Sequence, residues 1–135
     1  MNGGMAGQAK RCLIVDDSRM IRKVERRIAE SLGYSVSEAE NGEEALAKCK
    51  ASMPQLILLD WDMPVMSGIE FVAELRRIEG DERPKVVFCT NKSNALDYEQ
   101  AIAAGADDYV IKPFEPKNFL ARLQFITATG GNRQG

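Results

Sequence analysis

Five short apolar runs alternate with five longer segments whose apolar residues recur at helical spacing, and this alternation most constrains the fold. The runs span residues 11–15, 34–39, 55–60, 85–90 and 109–111. A strand, a helix and a second parallel strand form a unit with a right-handed crossover. The sequence therefore predicts an α/β domain in which helices cover both faces of a five-stranded parallel sheet.

Cap-forming and breaking residues mark the ends of the predicted helices. Ser18 suits the N-cap of the first helix, and Gly33 suits its end through a positive φ. Pro54 ends the second helix, Gly105 ends the fourth, and Pro116 suits the first turn of the fifth. These signals support five separate helices.

The chain length of 135 residues fits one domain. We expect the domain to span residues 10–128, between a disordered N-terminal extension at residues 1–9 and a disordered tail at residues 129–135. Either Met1 or Met5 can be the native start.

Composition excludes several classes of function. The net charge of −2 gives no reason to expect a nucleic-acid partner, and no apolar run is long enough to insert into a membrane. The absence of histidine removes His-based catalysis and any role as a phosphohistidine donor. The cysteines lack metal-binding or redox spacing, so we expect a cytoplasmic protein with three reduced thiols: Cys12, Cys49 and Cys89.

Polar side chains stand at the ends of four of the five strands. Three are acidic, Asp16, Asp17 and Asp60, and the others are Thr90 and Lys112. Carboxyl ends of parallel strands meet at one edge of the sheet, where such folds bind ligands. Clustered carboxylates repel one another unless a cation neutralises them, and oxygen ligands with bound water suit Mg²⁺. A carboxylate beside Mg²⁺, a lysine and a hydroxyl is suited to accept a phosphoryl group.

Each of these residues also has an ordinary interpretation. Asp16 and Asp17 can be solvated turn residues, Thr90 a plain strand residue and Lys112 a solvated lysine. Their joint position at the predicted strand ends favours the functional interpretation.

The strand-end residues, taken in this order along the chain, resemble those of the receiver domains of response regulators, and the resemblance extends from about residue 11 to residue 126. It includes Tyr109, Lys112-Pro113 and the stretches LIVDDSRMIRKV and LLDWDMPVMSGIEF, which are most similar to chemotaxis-type receivers such as CheY. The resemblance implies a flavodoxin-like fold with strand order 2-1-3-4-5. It also implies a cis bond between Lys112 and Pro113.

The same resemblance implies a role for each site residue. Asp60 is the expected phosphoacceptor, and Lys112 pairs with the phosphoryl oxygens. Asp17 and Asp60 bind Mg²⁺ directly, Asp16 binds it through water, and Asp62 contributes its backbone carbonyl.

Two residues are expected to form the switch. Thr90 is expected to move toward the phosphoryl group, after which Tyr109 moves inward and alters the face formed by the fourth helix, fifth strand and fifth helix. We expect Asp62 and Lys92 to pair across the site and slow the loss of the phosphoryl group. Trp61 is expected to be a surface aromatic that serves only as a reporter.

The resemblance implies partners as well. A histidine kinase or His-phosphotransfer protein is the expected donor. An effector, for which the flagellar motor switch is the first choice, is expected to bind the switch face of a monomer or weak dimer. The outer side of the first helix is either a docking surface for the donor or a solvated face, and it carries five cations: Arg19, Arg22, Lys23, Arg26 and Arg27.

The expected function is a single-domain signalling switch that is not an enzyme beyond its own phosphorylation and dephosphorylation. A phosphorelay shuttle or phosphate sink without its own effector is the alternative. A hydrolase of the haloacid dehalogenase type fits Asp62 but leaves Asp16 and Asp17 poorly explained. An FMN carrier is disfavoured because these two acids repel a phosphate group.

Overall fold

The computed structural model describes residues 10–129, which form five strands and five helices in strict alternation. The bounds are β1 Arg11–Val15, α1 Arg19–Ser31, β2 Ser35–Ala39, α2 Gly42–Ala51, β3 Leu56–Leu59, α3 Gly68–Ile78, β4 Lys85–Thr90, α4 Ala95–Ala104, β5 Asp108–Ile111 and α5 Pro116–Thr129. The predicted bounds of β1 and β4 are matched, and those of β2, β3 and β5 differ by one residue at one or both ends. The predicted N-terminal extension and all but the first residue of the predicted tail lie outside the described residues.

All strand pairs are parallel, and the order is β2-β1-β3-β4-β5, as the resemblance implied. Val15 pairs with Leu59, and Leu59 pairs with Phe88. Thr90 pairs with Ile111 at the end of β5. This register brings the carboxyl ends of β1, β3, β4 and β5 to one edge of the sheet.

The core consists of two clusters, one on each face of the sheet. One face packs Leu13, Ile57 and Phe88 against Phe71 of α3, among other residues. The opposite face packs a second cluster that includes Cys12, Ile14, Leu58, Ile28, Phe119 and Leu123. All four residues of β3 are buried, as expected of a central strand covered on both faces.

Local signals fix the helix ends. The Ser18 hydroxyl accepts a hydrogen bond from the Ile21 N–H, and Gly33 has a φ of 92°, both as predicted.

The Lys112–Pro113 bond is cis, as the resemblance implied. No helix within residues 10–129 is both long enough and apolar enough to cross a membrane.

Candidate phosphorylation site

The structure brings the three predicted acids together at the carboxyl edge of the sheet. Asp16 and Asp17 follow β1, and Asp60 follows β3. Each offers a carboxylate oxygen, and these oxygens all lie within 4.8 Å of one another. Asp16 is 1% exposed and Asp60 8% exposed, whereas Asp17 faces solvent. The cluster is thus buried at its base and open on one side.

Lys112, directly after β5, supplies the positive charge of the cluster. Its ammonium lies 2.9 Å from Asp16 Oδ2 and 3.4 Å from Asp60 Oδ1. Burial alone lowers the pKa of Lys112, but the hydrogen bond to Asp16 and the charges of both acids outweigh burial and raise it. Lys112 is therefore a cation at neutral pH.

One lysine does not neutralise three carboxylates. Burial raises the pKa of Asp60 to about 6, the charge of Asp16 adds to this, and Lys112 opposes it. An acidic cluster with oxygen donors only and one open side fits a hard divalent cation that keeps some of its water. The side chains present therefore fit Mg²⁺.

The loop after Asp60 is held close to the strand by Gly68. The Gly68 N–H donates to the Trp61 carbonyl at 2.9 Å. A Cβ on Gly68 would lie 2.3 Å from the carbonyl oxygen of Asp60 and 2.7 Å from the Phe88 ring. Only glycine fits there, so α3 begins directly against the backbone that carries Asp60.

The predicted switch residues both contact the backbone of Lys92. The Thr90 hydroxyl is buried and accepts a 3.2 Å hydrogen bond from the Lys92 N–H. The Tyr109 hydroxyl donates a 2.7 Å hydrogen bond to the Lys92 carbonyl. Tyr109 is only 7% exposed, so the structure already has the inward position that was expected to follow phosphorylation.

The predicted pairing of Asp62 with Lys92 is confirmed. Lys92 Nζ lies 3.7 Å from Asp62 Oδ2 and 5.3 Å from the centre of the Trp61 ring. The expectation of a surface tryptophan is wrong, because Trp61 is 8% exposed and packs against Phe88 and Tyr109. Adjacency to Asp60 suggested a surface position, but the ring turns toward the sheet.

The basic side of α1 divides into two sets. Arg22 and Arg26 pair with Glu38 of β2, at 2.8 Å and 2.7 Å, and are therefore partly used within the fold. The side chains of the remaining three cations are exposed: Arg19, Lys23 and Arg27.

Sequence reasoning missed one buried acid near the site. Glu25 of α1 is 1% exposed and lies on the core side of the helix. Its spacing from Ile21 and Ile28, four residues after one and three before the other, places it on the apolar stripe, and that signal could have identified it.

The comparisons with known proteins agree with this geometry. The family described as the response regulator receiver domain matches residues 12–124. The chain belongs to this family. Receiver domains are the signalling switches of two-component systems, they typically bind Mg²⁺ at an acidic pocket, and they interact with kinases and effectors.

Two kinds of curated relative are similar to this receiver domain. The phosphate regulon transcriptional regulatory protein PhoB of Pseudomonas aeruginosa is 39% identical over 90% of the chain and 53% of the relative, so the chain spans about half the length of that protein. The chemotaxis protein CheY of Thermotoga maritima is 36% identical, over 87% of the chain and 98% of the relative.

A solved structure shows the same fold. The chemotaxis protein CheY4 of Vibrio cholerae has a TM-score of 0.80 and 33% identity, with coverage of 87% of this chain and 98% of that one. The receiver domain is thus CheY-like in its architecture.

Proposed function

We propose that this receiver domain accepts a phosphoryl group on Asp60 from a phosphohistidine of a histidine kinase or His-phosphotransfer protein. The observation that carries the proposal is the cluster of three carboxylates, two of them buried, with Lys112 at 2.9 Å and 3.4 Å from those two. Asp60 is the proposed nucleophile because it follows the central strand, contacts Lys112 at 3.4 Å and is more exposed than Asp16.

Mg²⁺ is the proposed cofactor. Asp17 and Asp60 would hold it directly, Asp16 would hold it through water, and the backbone carbonyl of Asp62 would complete the protein ligands. The bound ion supplies positive charge that offsets the charge on the phosphoryl oxygens. Three nearby carboxylates with a single lysine support this assignment.

The proposed reaction needs little from the protein beyond position and charge. An Asp60 carboxylate oxygen attacks phosphorus while the bond from phosphorus to the donor imidazole breaks, and the imidazole nitrogen leaves with the electron pair. Lys112 stabilises the phosphoryl oxygens. The nucleophile is the carboxylate, so it must be ionised, which agrees with a pKa of about 6.

The proposed output is a change in the face formed by α4, β5 and α5. Thr90 and Tyr109 connect this face to the site through the backbone of Lys92. The face presents exposed apolar side chains that suit a protein partner: Leu96, Tyr98, Ile102, Ile111 and Phe125. A flagellar motor switch is our first choice of effector, since CheY proteins are among the relatives.

The exposed cations of α1 are the proposed contact for the phosphodonor. These cations lie on the helix that comes directly after Asp16 and Asp17 in the sequence, and their side chains are exposed: Arg19, Lys23 and Arg27. Their positive charge can therefore steer an acidic partner toward Asp60. Arg22 and Arg26, which pair with Glu38, contribute less.

Trp61 fluorescence tests the proposal, because the indole lies beside Asp60 and is buried. We expect a Mg²⁺-dependent response to beryllofluoride or acetyl phosphate in the wild type. Asp60→Asn, the matched control, is expected to give none. Equal responses in the two proteins, or none in either while both are folded, would contradict the assignment of Asp60.

A further inference from the structure

Strand β2 lies at one end of the strand order and forms an edge of the sheet. The N–H of Ser35 and the carbonyl of Ala39 both form hydrogen bonds with residues that flank β1. Backbone groups of successive residues in a strand point to opposite sides. The N–H and carbonyl groups of Val36 and Glu38 therefore point away from β1, to the outer side of the sheet.

An edge strand with outward backbone groups is a template for pairing with another chain. A second copy of this protein carries the same edge, so two β2 strands can pair antiparallel about a twofold axis through Ser37. In that arrangement Val36 of one copy lies opposite Glu38 of the other, and these residues exchange both backbone hydrogen bonds. Such pairing needs the outward carbonyls of Val36 and Glu38 in both copies.

Cationic side chains already occupy both of these carbonyls. Arg26 Nη2 of α1 donates a 3.2 Å hydrogen bond to the Val36 carbonyl. The ammonium of Lys48 in α2 donates to the Glu38 carbonyl. Since α1 and α2 pack on opposite faces of the sheet, the edge is covered from both sides. Hydrogen bonds from charged donors are stronger than those between neutral groups, so an incoming strand would have to displace strong contacts.

Ion pairs hold both cations at the edge. Arg26 Nε lies 2.7 Å from Glu38 Oε2, and Arg26 Nη1 lies 2.9 Å from Glu30 Oε2. Lys48 Nζ lies 3.7 Å from Glu44 Oε2 on its own helix. The two side chains are thus directed to β2 by acids of the fold.

We propose that Arg26 and Lys48 block the β2 edge against strand pairing with a second copy of this chain. Charged side chains on an edge strand are a known protection against such pairing, and here they come from the two flanking helices. The proposal gives Arg26 a role apart from the contact for the phosphodonor. It does not depend on the phosphorylation of Asp60.

The test compares wild type with the double variant Arg26→Met, Lys48→Met. Methionine keeps an unbranched side chain and a similar helix propensity but removes the hydrogen-bond donors and the charge. The matched control is Arg77→Met, Lys50→Met. It makes the same change at exposed helix positions whose side chains contact no β2 carbonyl within residues 10–129.

Sedimentation velocity over a range of concentrations, in metal-free buffer without a phosphodonor, measures self-association. We expect the dissociation constant of the dimer to fall about tenfold or more in the double variant, because pairing no longer displaces charge-assisted hydrogen bonds. The control is expected to behave as wild type. If the double variant does not fold, Lys48→Met alone frees the Glu38 carbonyl and should give a smaller fall.

Backbone hydrogen exchange locates the interface. At concentrations where the double variant is dimeric, we expect the N–H groups of Val36 and Glu38 to exchange more slowly than in wild type. Self-association equal to that of the control would overturn the proposal. Dimers in which these two N–H groups exchange as in wild type would also overturn it, because the chains would then associate through another surface. Neither result bears on the proposed phosphorylation of Asp60.

Discussion

The Tyr109 hydroxyl donates a 2.7 Å hydrogen bond to the carbonyl oxygen of Lys92. The N–H of Lys92 donates to the hydroxyl of Thr90. The backbone of Lys92 thus connects Thr90, at the end of β4, to the ring of Tyr109 on β5. A movement of Thr90 toward a phosphoryl group would break or lengthen the hydrogen bond from the Lys92 N–H to Thr90, and would thereby change the loop that holds Tyr109.

Tyr109→Phe should lower the free energy of unfolding by about 1 kcal/mol, since one largely buried hydrogen bond is lost. Urea unfolding measures this. Tyr98→Phe is the control, because Tyr98 lies beside Tyr109 but is 49% exposed, and we expect little change. We expect phosphorylation of Tyr109→Phe to proceed normally while effector binding weakens. Unaltered effector binding would contradict the switch role.

Lys92→Ala should speed the loss of the phosphoryl group. The Lys92 side chain lies 3.7 Å from Asp62, and we expect this pair to obstruct attacking water. The substitution removes the side chain and keeps the backbone contacts to Thr90 and Tyr109. Decay of the phosphorylated protein, followed after removal of the donor, measures the effect.

Asp62→Asn provides the matched variant for the same ion pair. If the pair acts as a unit, the Lys92→Ala, Asp62→Asn double variant loses the phosphoryl group little faster than Lys92→Ala alone. A decay rate of Lys92→Ala equal to that of wild type would mean that the pair does not control hydrolysis.

Gly68→Ala should destabilise the domain by about 3 kcal/mol or more, because the added Cβ would overlap the Asp60 carbonyl and the Phe88 ring. Gly80→Ala is the control, since a Cβ there meets nothing within 4 Å. Thermal or urea unfolding compares the two. Similar stabilities for both variants would show that the start of α3 can move away from Asp60 without cost.

Stability should fall as pH rises from about 5 to about 8 in metal-free buffer. The folded chain raises the pKa of Glu25 from 4.5 to about 8, chiefly by burial, so it binds a proton that the unfolded chain releases over this interval. The contribution of Glu25 to the free energy of unfolding is complete below pH 4.5, and it is lost as the pH approaches 8. Asp60 acts in the same direction, with a pKa raised from 3.8 to about 6.

Glu25→Met isolates the part that belongs to Glu25. We expect Glu25→Met to be more stable than wild type at about pH 8. Above about pH 6 its free energy of unfolding should no longer change with pH, whereas the change that Asp60 causes below about pH 6 should remain. Urea unfolding across this range measures both curves. Parallel curves for wild type and Glu25→Met would contradict the account of Glu25.

The fold and the site could be predicted from the sequence where they depend on the residue type and on its position at the end of a strand. Asp60 follows the most apolar run, and Asp16 and Asp17 follow the first, so parallel pairing alone brings them together. The strand order came from the family resemblance, because periodicity does not determine which strands are neighbours. Pairing of Lys92 with Asp62 was predictable because both lie two residues past a strand-end residue of the site.

Tertiary packing decided what the sequence left open. Trp61 was expected at the surface, but its ring fills space beside Phe88 and Tyr109 that no local pattern reveals. Helical spacing predicts Ile69, Val72 and Leu75 as the apolar stripe of α3. Phe71 is fully buried as well, because α3 packs against both α2 and the sheet. Glu25 was not predicted as a core residue because acidic side chains are rarely buried, and only the packing of α1 shows that this one is.

The most direct test of the central claim is the mass of the intact protein after incubation with acetyl phosphate and Mg²⁺, followed by fragmentation to locate the modification. The account predicts one added phosphoryl group on Asp60 in wild type, and none in Asp60→Asn or when Mg²⁺ is removed by a chelator. No added group on folded wild-type protein, or a group on another residue with Asp60 unmodified, would contradict it.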